Sequence, residues 1–139
     1  FALLTSKIHN AWVWITAGRL KSDYRYSAKF TYNTFPTPPA SRAQFTKLEP
    51  LAQAVIDARS AHPGATLADL YDPDLMPANL RKAHQALDRA VDQLYRKAGF
   101  NSDRERVEHL FGLYEKMQAP LVVKETAPPT RKRKYRGIA

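Results

Sequence analysis

Apolar residues recur at three- and four-residue spacing over the sixteen positions that precede Arg96. They are Leu80, Ala83, Leu87, Ala90, Val91, Leu94 and Tyr95. This spacing puts them on one face of an α-helix, and such a helix buries its apolar face against another element. The pattern predicts that the longest helix of the chain lies here and ends near Gly99.

Two shorter amphipathic segments flank this helix. Capping boxes are predicted at Ser41 with Gln44 and at Ser102 with Glu105, and Pro50 is expected to delay the start of the first helix. The apolar stripes that follow are Leu48, Leu51, Ala52, Val55 and Ile56 in the first segment, and Val107, Leu110, Phe111, Tyr114 and Met117 in the second. Three amphipathic helices joined by short connections predict an antiparallel helical bundle over residues 40–118.

The connection before the longest helix carries turn chemistry. Thr66 and Asp69 suit the cap of a short helical turn, and Asp72, Pro73 and Asp74 suit a tight turn. The two aspartates could instead belong to a cation site or a nuclease, but no Glu-x-Lys follows them. Turn chemistry is the favoured interpretation.

The N-terminal segment predicts a helix that leads into a strand. Ser6 suits an N-cap, the apolar stripe includes Trp12, and Gly18 suits a left-handed C-terminal cap. From Tyr24 to Thr34 apolar and polar residues alternate, which predicts a strand with one buried aromatic face. The prolines of residues 36–39 end the strand and mark a boundary.

The net charge of +9 is unevenly distributed. Residues 1–47 hold seven Lys and Arg against one acid, residues 48–118 are slightly acidic, and residues 119–139 hold six Lys and Arg against one acid. A basic segment that also carries aromatic side chains suits a polyanion partner, so the binding face is expected near the N-terminus. The basic cluster at 131–136 suits either phosphate contact or a passive, disordered tail.

The sequence lacks the residues or motifs that several classes of functional site require. The chain has no cysteine, so disulfides and thiolate metal sites are excluded. No apolar run is long enough to cross a bilayer, and the chain starts at Phe1 without a signal-peptide pattern, which suggests a piece of a longer protein. No phosphate-loop, zinc-protease or nucleophile-elbow motif occurs. The histidines, His9, His62, His84 and His109, lack metal-ligand spacing, so structural or solvated roles are expected.

Lys21 and Asp23 are the candidate base-reading residues. Extending the alternation backwards puts them on one polar face with Arg25. A lysine can donate to guanine O6 or N7 and an aspartate can accept from cytosine N4, and both groups lie in the major groove of one G·C pair. A surface ion pair on a protected strand edge is an equally good interpretation of these residues taken alone.

Four ordered motifs resemble the C-terminal end of the MmeI-like DNA methyltransferases, which are type IIG/IIL restriction-modification enzymes. The motifs are GRLKSDYRYS at 18–27, YNTFP at 32–36, LADLYDPDLMP at 67–77 and LRKAHQALDRA at 80–90. The resemblance covers residues 3 to about 118. It implies a mainly α fold, in which residues 1–38 are the helix-strand remnant of an α+β target-recognition domain, residues 40–118 are a C-terminal helical domain, and residues 119–139 are a disordered basic tail.

The resemblance also implies roles for individual residues. Lys21 and Asp23 flank the serine of the Gly-Arg-Leu-x-Ser-x-Tyr stretch, and these two positions vary with the base recognised in the family. Arg19, Arg25 and Lys29 are implied to contact the DNA backbone. The Asn-Pro-Pro-Tyr motif, the glycine-rich cofactor motif and the nuclease carboxylates are absent, so no catalytic, cofactor or metal residue is expected in this segment.

For the parent protein the resemblance implies an adenine-N6 DNA methyltransferase that uses S-adenosylmethionine, with Mg²⁺ for cleavage. The implied partners are double-stranded DNA and the methyltransferase domain of the same chain, with no membrane, in the cytoplasm of a bacterium. The competing interpretation is a non-enzymatic helical interaction module whose basic tail binds nucleic acid.

Overall fold

The computed structural model of the protein describes residues 1–119, and helices dominate this range. In chain order the elements are α1 (Lys7–Thr16), β1 (Gly18–Leu20), β2 (Asp23–Arg25), a π-helix (Ala28–Tyr32), α2 (Arg42–Thr46), α3 (Glu49–Ser60), α4 (Leu67–Leu70), α5 (Ala78–Tyr95) and α6 (Asp103–Gln118). The mainly α fold is confirmed, and α5 is the long helix that the apolar periodicity predicts. The predicted tail at 119–139 lies almost entirely outside the described residues.

The core lies where four long helices meet. Helix α3 packs along α5, and α1 packs against both α5 and α6. The largest buried apolar side chains come from all four: Ile8, Trp12, Val55, Leu80, Leu87, Val91 and Leu110. The helical bundle therefore includes α1, and the N-terminal segment shares its hydrophobic core with the residues that follow Pro39.

The predicted helix caps fare differently. Ser41 with Gln44 and Thr66 with Asp69 both form complete capping boxes. The first box opens the short helix α2, and a separate helix α3 begins with Pro50 in its first turn, in agreement with the delay expected from that proline. Of the two hydrogen bonds expected for the capping box of Ser102 and Glu105, one forms and the other does not. Ser102 Oγ accepts a hydrogen bond from the Glu105 backbone, but the Glu105 carboxylate binds Arg96 and the Asn101 backbone instead.

Helix α1 is capped by a residue far away in the sequence. Ser6 occupies the N-cap position, but its hydroxyl donates to the Leu3 carbonyl at 2.6 Å and makes no capping bond. The backbone N–H of Lys7 donates instead to Asp88 Oδ1 on α5 at 2.9 Å. A side-chain oxygen is well suited to this position because the first N–H groups of a helix lack backbone acceptors.

The C-terminal end of α1 also differs from the prediction. Gly18 was expected to adopt a left-handed cap, but the C-cap residue is Ala17, in an extended conformation. Gly18 instead begins β1. Helix α1 therefore passes directly into a strand without a reversing turn.

Candidate nucleic-acid interface

Residues 18–25 form a β-hairpin at the end of α1. Strands β1 and β2 pair antiparallel, with Gly18 opposite Arg25, Arg19 opposite Tyr24 and Leu20 opposite Asp23. Lys21 and Ser22 are the two-residue loop, and Lys21 has a left-handed φ of 58°. Loops of this length favour positive φ because it matches the twist of the paired strands, although glycine or asparagine usually supplies it.

The long strand predicted from Tyr24 to Thr34 was wrong. The chain leaves the hairpin after Arg25 and forms the π-helix Ala28–Tyr32, in which the Tyr32 and Asn33 N–H groups donate to carbonyls five residues earlier. Ser27 Oγ accepts a hydrogen bond from the Phe30 backbone at the start of this helix. Trp12 Nε1 donates to the Thr31 carbonyl at 3.2 Å and fixes the helix against α1.

The aromatic face expected to anchor the strand is therefore not buried. Tyr24, Tyr26, Phe30 and Tyr32 are all exposed, and Phe30 is 63% accessible. The residues that do anchor this segment are Thr31, Phe35 and Pro36, which are buried. The alternation put Thr31 on the polar face because it assumed a period of two, whereas the π-helix changes the period with which side chains point inward.

The hairpin separates the predicted site residues into distinct positions. Lys21 occupies the loop, whereas Asp23 and Arg25 lie two apart on β2 and so share one face. Lys21 does not extend that strand register, so the side-by-side row of three charges was wrong. Lys21 and Asp23 are nonetheless adjacent at the hairpin tip, both exposed, and neither forms an ion pair with a residue in the range 1–119.

Arg19 and Lys29 occupy the flanks of the hairpin. The Arg19 guanidinium stacks over the Tyr24 ring, 4.6 Å from its centre, and donates to the Tyr24 hydroxyl at 3.2 Å. This contact holds the guanidinium on the face of the hairpin opposite to Asp23 and Arg25. Lys29 lies in the π-helix, with its ammonium 5.7 Å from the Phe30 ring centre. All five candidate side chains are exposed on this end of the protein.

The segment after the π-helix is bound to the bundle by a residue that sequence reasoning did not single out for this role. Tyr95, at the end of α5, donates its hydroxyl proton to the Pro36 carbonyl at 2.8 Å. Burial raises the pKa of Tyr95, so the hydroxyl stays protonated as a donor. The position of Tyr95 in the apolar stripe of α5 predicted that its side chain is buried. No local pattern indicated a hydrogen-bond partner 59 residues away.

Three of the four histidines pack against aromatic side chains. His9 is buried and bonded to Tyr26, His84 bonds Tyr71 at 2.6 Å, and His109 packs edge-on to Tyr95 and Phe100. Burial is the main reason that the pKa values of these three histidines are lowered. No cluster of three or more possible metal ligands occurs among residues 1–119.

The remaining candidates were the aspartate turn and the basic cluster. Asp72 Oδ1 accepts a hydrogen bond from the Asp74 backbone at 2.8 Å, which confirms turn chemistry at this position. The cluster at 131–136 lies outside the described residues. Among the residues that the structure does describe, no helix is long and apolar enough to cross a membrane.

The architecture and the hairpin can be compared with known proteins. The family model of the MmeI target recognition domain matches residues 1–39, and the family model of the MmeI C-terminal domain matches residues 40–122. The chain belongs to the MmeI family. The match covers the exposed hairpin and the helical bundle together, and it disfavours an unrelated helical interaction module.

Two relatives show how much of a longer protein the chain represents. DNA methyltransferase A of Bacillus subtilis (strain 168) is 46% identical over 115 residues, which are 83% of this chain and 13% of that protein. The structure of the type IIL restriction-modification enzyme MmeI in complex with DNA matches with a TM-score of 0.81 and 47% sequence identity. That match covers 86% of this chain and 16% of the MmeI chain. The chain therefore spans well under a fifth of these two relatives.

Proposed function

We propose that this chain is the DNA-recognition and scaffolding segment of a site-specific adenine-N6 DNA methyltransferase of the restriction-modification type. In this proposal residues 1–38 complete the target-recognition domain and residues 40–118 form the helical domain that supports it. The observation that carries the proposal is the exposed hairpin, which presents Lys21 and Asp23 at its tip within a segment that matches the MmeI target recognition domain.

The shape of the hairpin suits entry into DNA. A two-stranded ribbon fits the major groove, which is about 12 Å wide. At the tip, the Lys21 ammonium would donate to guanine O6 or N7, and the Asp23 carboxylate would accept from cytosine N4. Both side chains lack an ion-pair partner in residues 1–119, so no ion pair within this range has to break before they meet a base pair.

The neighbouring cations would position the hairpin on the DNA, and the residues at its tip would determine the sequence specificity. Arg25 lies at the base of β2, Arg19 is held against Tyr24, and Lys29 lies in the π-helix. Their charges are compatible with contacts to phosphates on either side of the groove. Phosphate contacts add affinity and fix the register without reading sequence directly.

The helical domain would hold this surface against the rest of the enzyme. Its proposed partners are double-stranded DNA and the methyltransferase domain of the same parent chain, in the cytoplasm of a bacterium. S-adenosylmethionine and Mg²⁺ belong to the parent protein in this proposal. The residues described here do not fit either group, since they include neither a glycine-rich cofactor motif nor a cluster of metal ligands.

A charge exchange in the full-length parent enzyme tests the proposal. Lys21→Glu combined with Asp23→Arg should change the base specified at one position, because the donor and acceptor pattern at the tip is reversed. The methylation rate on the new site should remain close to that of the original enzyme on its own site. Sequencing of methylated sites in genomic DNA measures the change.

The matched control exchanges two exposed charges of the helical domain, Lys47→Glu with Asp57→Arg. It alters the same number and types of charge away from the hairpin, so the recognition sequence should stay the same. An unchanged recognition sequence after the exchange at Lys21 and Asp23 would refute the base-reading role.

A further inference from the structure

The hairpin is held to the bundle at very few points. Its chain enters from α1 through Ala17 and leaves through Tyr26, and every residue from Gly18 to Arg25 is exposed. Within residues 1–119, two side-chain hydrogen bonds involve residues 18–26. One joins Arg19 to Tyr24 inside the hairpin, and the other joins Tyr26 to His9 on α1. Of these two bonds in the described part of the chain, only the second ties the hairpin base to a helix.

The partner of Tyr26 is a rigid one. The Tyr26 hydroxyl lies 3.2 Å from His9 Nε2, and the two ring centres are 5.8 Å apart. His9 is 2% exposed, and its ring packs edge-on to Phe35 at 4.5 Å between centres. Because α1 and Phe35 both belong to the buried core, the imidazole gives the hairpin base a fixed point of attachment.

The imidazole in turn depends on this hydroxyl. His9 Nδ1 is buried and has no hydrogen-bond partner among the described residues, so Tyr26 supplies the one polar contact of the ring there. A buried polar group that loses its partner pays the full cost of desolvation, which makes this bond unfavourable to break. The hydrogen bond therefore holds the hairpin base in one place, because the imidazole is fixed in the core and has no other polar partner among the described residues.

We infer that Tyr26 and His9 are positioning residues for base reading, whose hydrogen bond sets the angle at which the hairpin leaves α1 and so the depth at which its tip meets a base pair. The inference rests on the proposed function. It assigns neither residue a contact with DNA. A hairpin held at one angle discriminates between base pairs better than a hairpin that can adjust to a mismatch, since a productive hydrogen bond tolerates little displacement.

Tyr26→Phe in the full-length parent enzyme tests the inference. The substitution removes one hydroxyl from a half-exposed side chain and keeps the ring, which lies outside the hydrophobic core, so the fold should be preserved. The affinity ratio between the cognate site and a site with one changed base pair should fall roughly 3- to 10-fold, as expected when one hydrogen bond is lost. The methylation rate at saturating cognate DNA should stay within about twofold. Binding titrations and single-turnover methylation measure these quantities.

Tyr32→Phe is the matched control. Tyr32 is exposed to a similar extent, lies six residues further along, and its hydroxyl has no hydrogen bond among residues 1–119. It should leave the affinity ratio unchanged. A double variant that combines Tyr26→Phe with His9→Leu should discriminate no worse than His9→Leu alone, because both substitutions remove the same bond.

The outcomes separate this inference from the proposal beneath it. An unchanged affinity ratio in Tyr26→Phe overturns the positioning role, and so does an equal loss in Tyr32→Phe or a fully additive loss in the double variant. If the exchange at Lys21 and Asp23 alters the recognised base while Tyr26→Phe behaves as the original enzyme, the inference fails and the proposed function stands. If neither changes specificity, both fail.

Discussion

Arg106 on α6 forms a buried, two-bond ion pair with Asp92 on α5. Arg106 Nη2 lies 2.6 Å from Asp92 Oδ2, and Nε donates to Oδ1 at 3.2 Å. Both side chains are less than a tenth exposed. A third bond runs from Arg106 Nη1 to Asp103 at 2.8 Å, so the guanidinium also fixes the first turn of its own helix.

Removing the guanidinium should therefore destabilise the fold strongly. Arg106→Ala leaves the Asp92 carboxylate buried without its cation, and breaking a buried pair from one side costs about 3–5 kcal/mol. Urea unfolding of the 139-residue chain followed by circular dichroism measures the loss. Arg104→Ala is the control, because Arg104 pairs with Glu108 on the exposed face of the same helix and should contribute little. Similar losses in the two variants would contradict the role of the buried pair.

Asp88 gives a pH-dependent prediction. Burial is the largest cause of its raised pKa, and the bonded Lys7 N–H opposes the shift in part. Because the folded-state pKa lies above the unfolded value, ionisation of Asp88 weakens the fold as pH rises through the folded pKa, and this penalty is absent well below the unfolded value.

Asp88→Asn keeps an oxygen acceptor for Lys7 and removes the buried charge. Near pH 7 the variant should be at least as stable as the original chain, and the advantage should disappear as the pH falls below the ordinary aspartate range. Asp88→Ala removes the acceptor and should lose about 1 kcal/mol, the usual value of a helix cap. Unfolding free energies at several pH values test both statements, and an Asn variant whose advantage grew at low pH would contradict the sign.

The main helices and two of the capping boxes could be predicted from the sequence because their signals are local. The stripe through Leu87 and Val91 and the reciprocal bonds of Thr66 with Asp69 lie within a few residues. Helix α1 was predicted too, from the stripe that contains Trp12. What its N-terminus binds was not predicted, since Asp88 is 81 residues away.

The hairpin that carries Lys21 and Asp23 was not predicted from the sequence. Lys21 adopts a left-handed turn without the glycine or asparagine that normally marks one, so nothing in the sequence signalled a hairpin loop between Leu20 and Asp23. The alternation from Tyr24 onward continued to favour a strand. In the structure this segment forms a π-helix that packs on α1, where the Trp12 indole donates to the Thr31 carbonyl. A period-two pattern does not report such a contact.

Lys21→Gly should separate folding from recognition. A non-glycine residue in the left-handed region costs about 1–2 kcal/mol, which the substitution relieves. The greater freedom of glycine in the unfolded chain offsets about 0.5–1 kcal/mol of this stabilisation. The variant should be slightly more stable, by about 0.5–1 kcal/mol, while the parent enzyme loses discrimination at the base pair assigned to Lys21. Chemical unfolding and site-selective methylation measure the two effects, and a variant that kept full discrimination would show that the ammonium is dispensable.

Arg25→Ala should weaken DNA binding without changing its sequence preference. Arg25 is exposed at the base of β2, opposite Gly18. In the proposed binding mode its charge would contact a phosphate while the tip enters the groove. Loss of one phosphate contact reduces the slope of log affinity against log salt concentration by about 0.9. Cognate and altered sites should lose affinity by similar factors. Salt titrations of the parent enzyme measure the slope, with Arg42→Ala on the exposed face of α2 as the control. Each phosphate contact releases counterions from the DNA, and this release sets the slope whichever base pair is read. A slope that Arg25→Ala leaves unchanged would therefore show that Arg25 does not contact a phosphate.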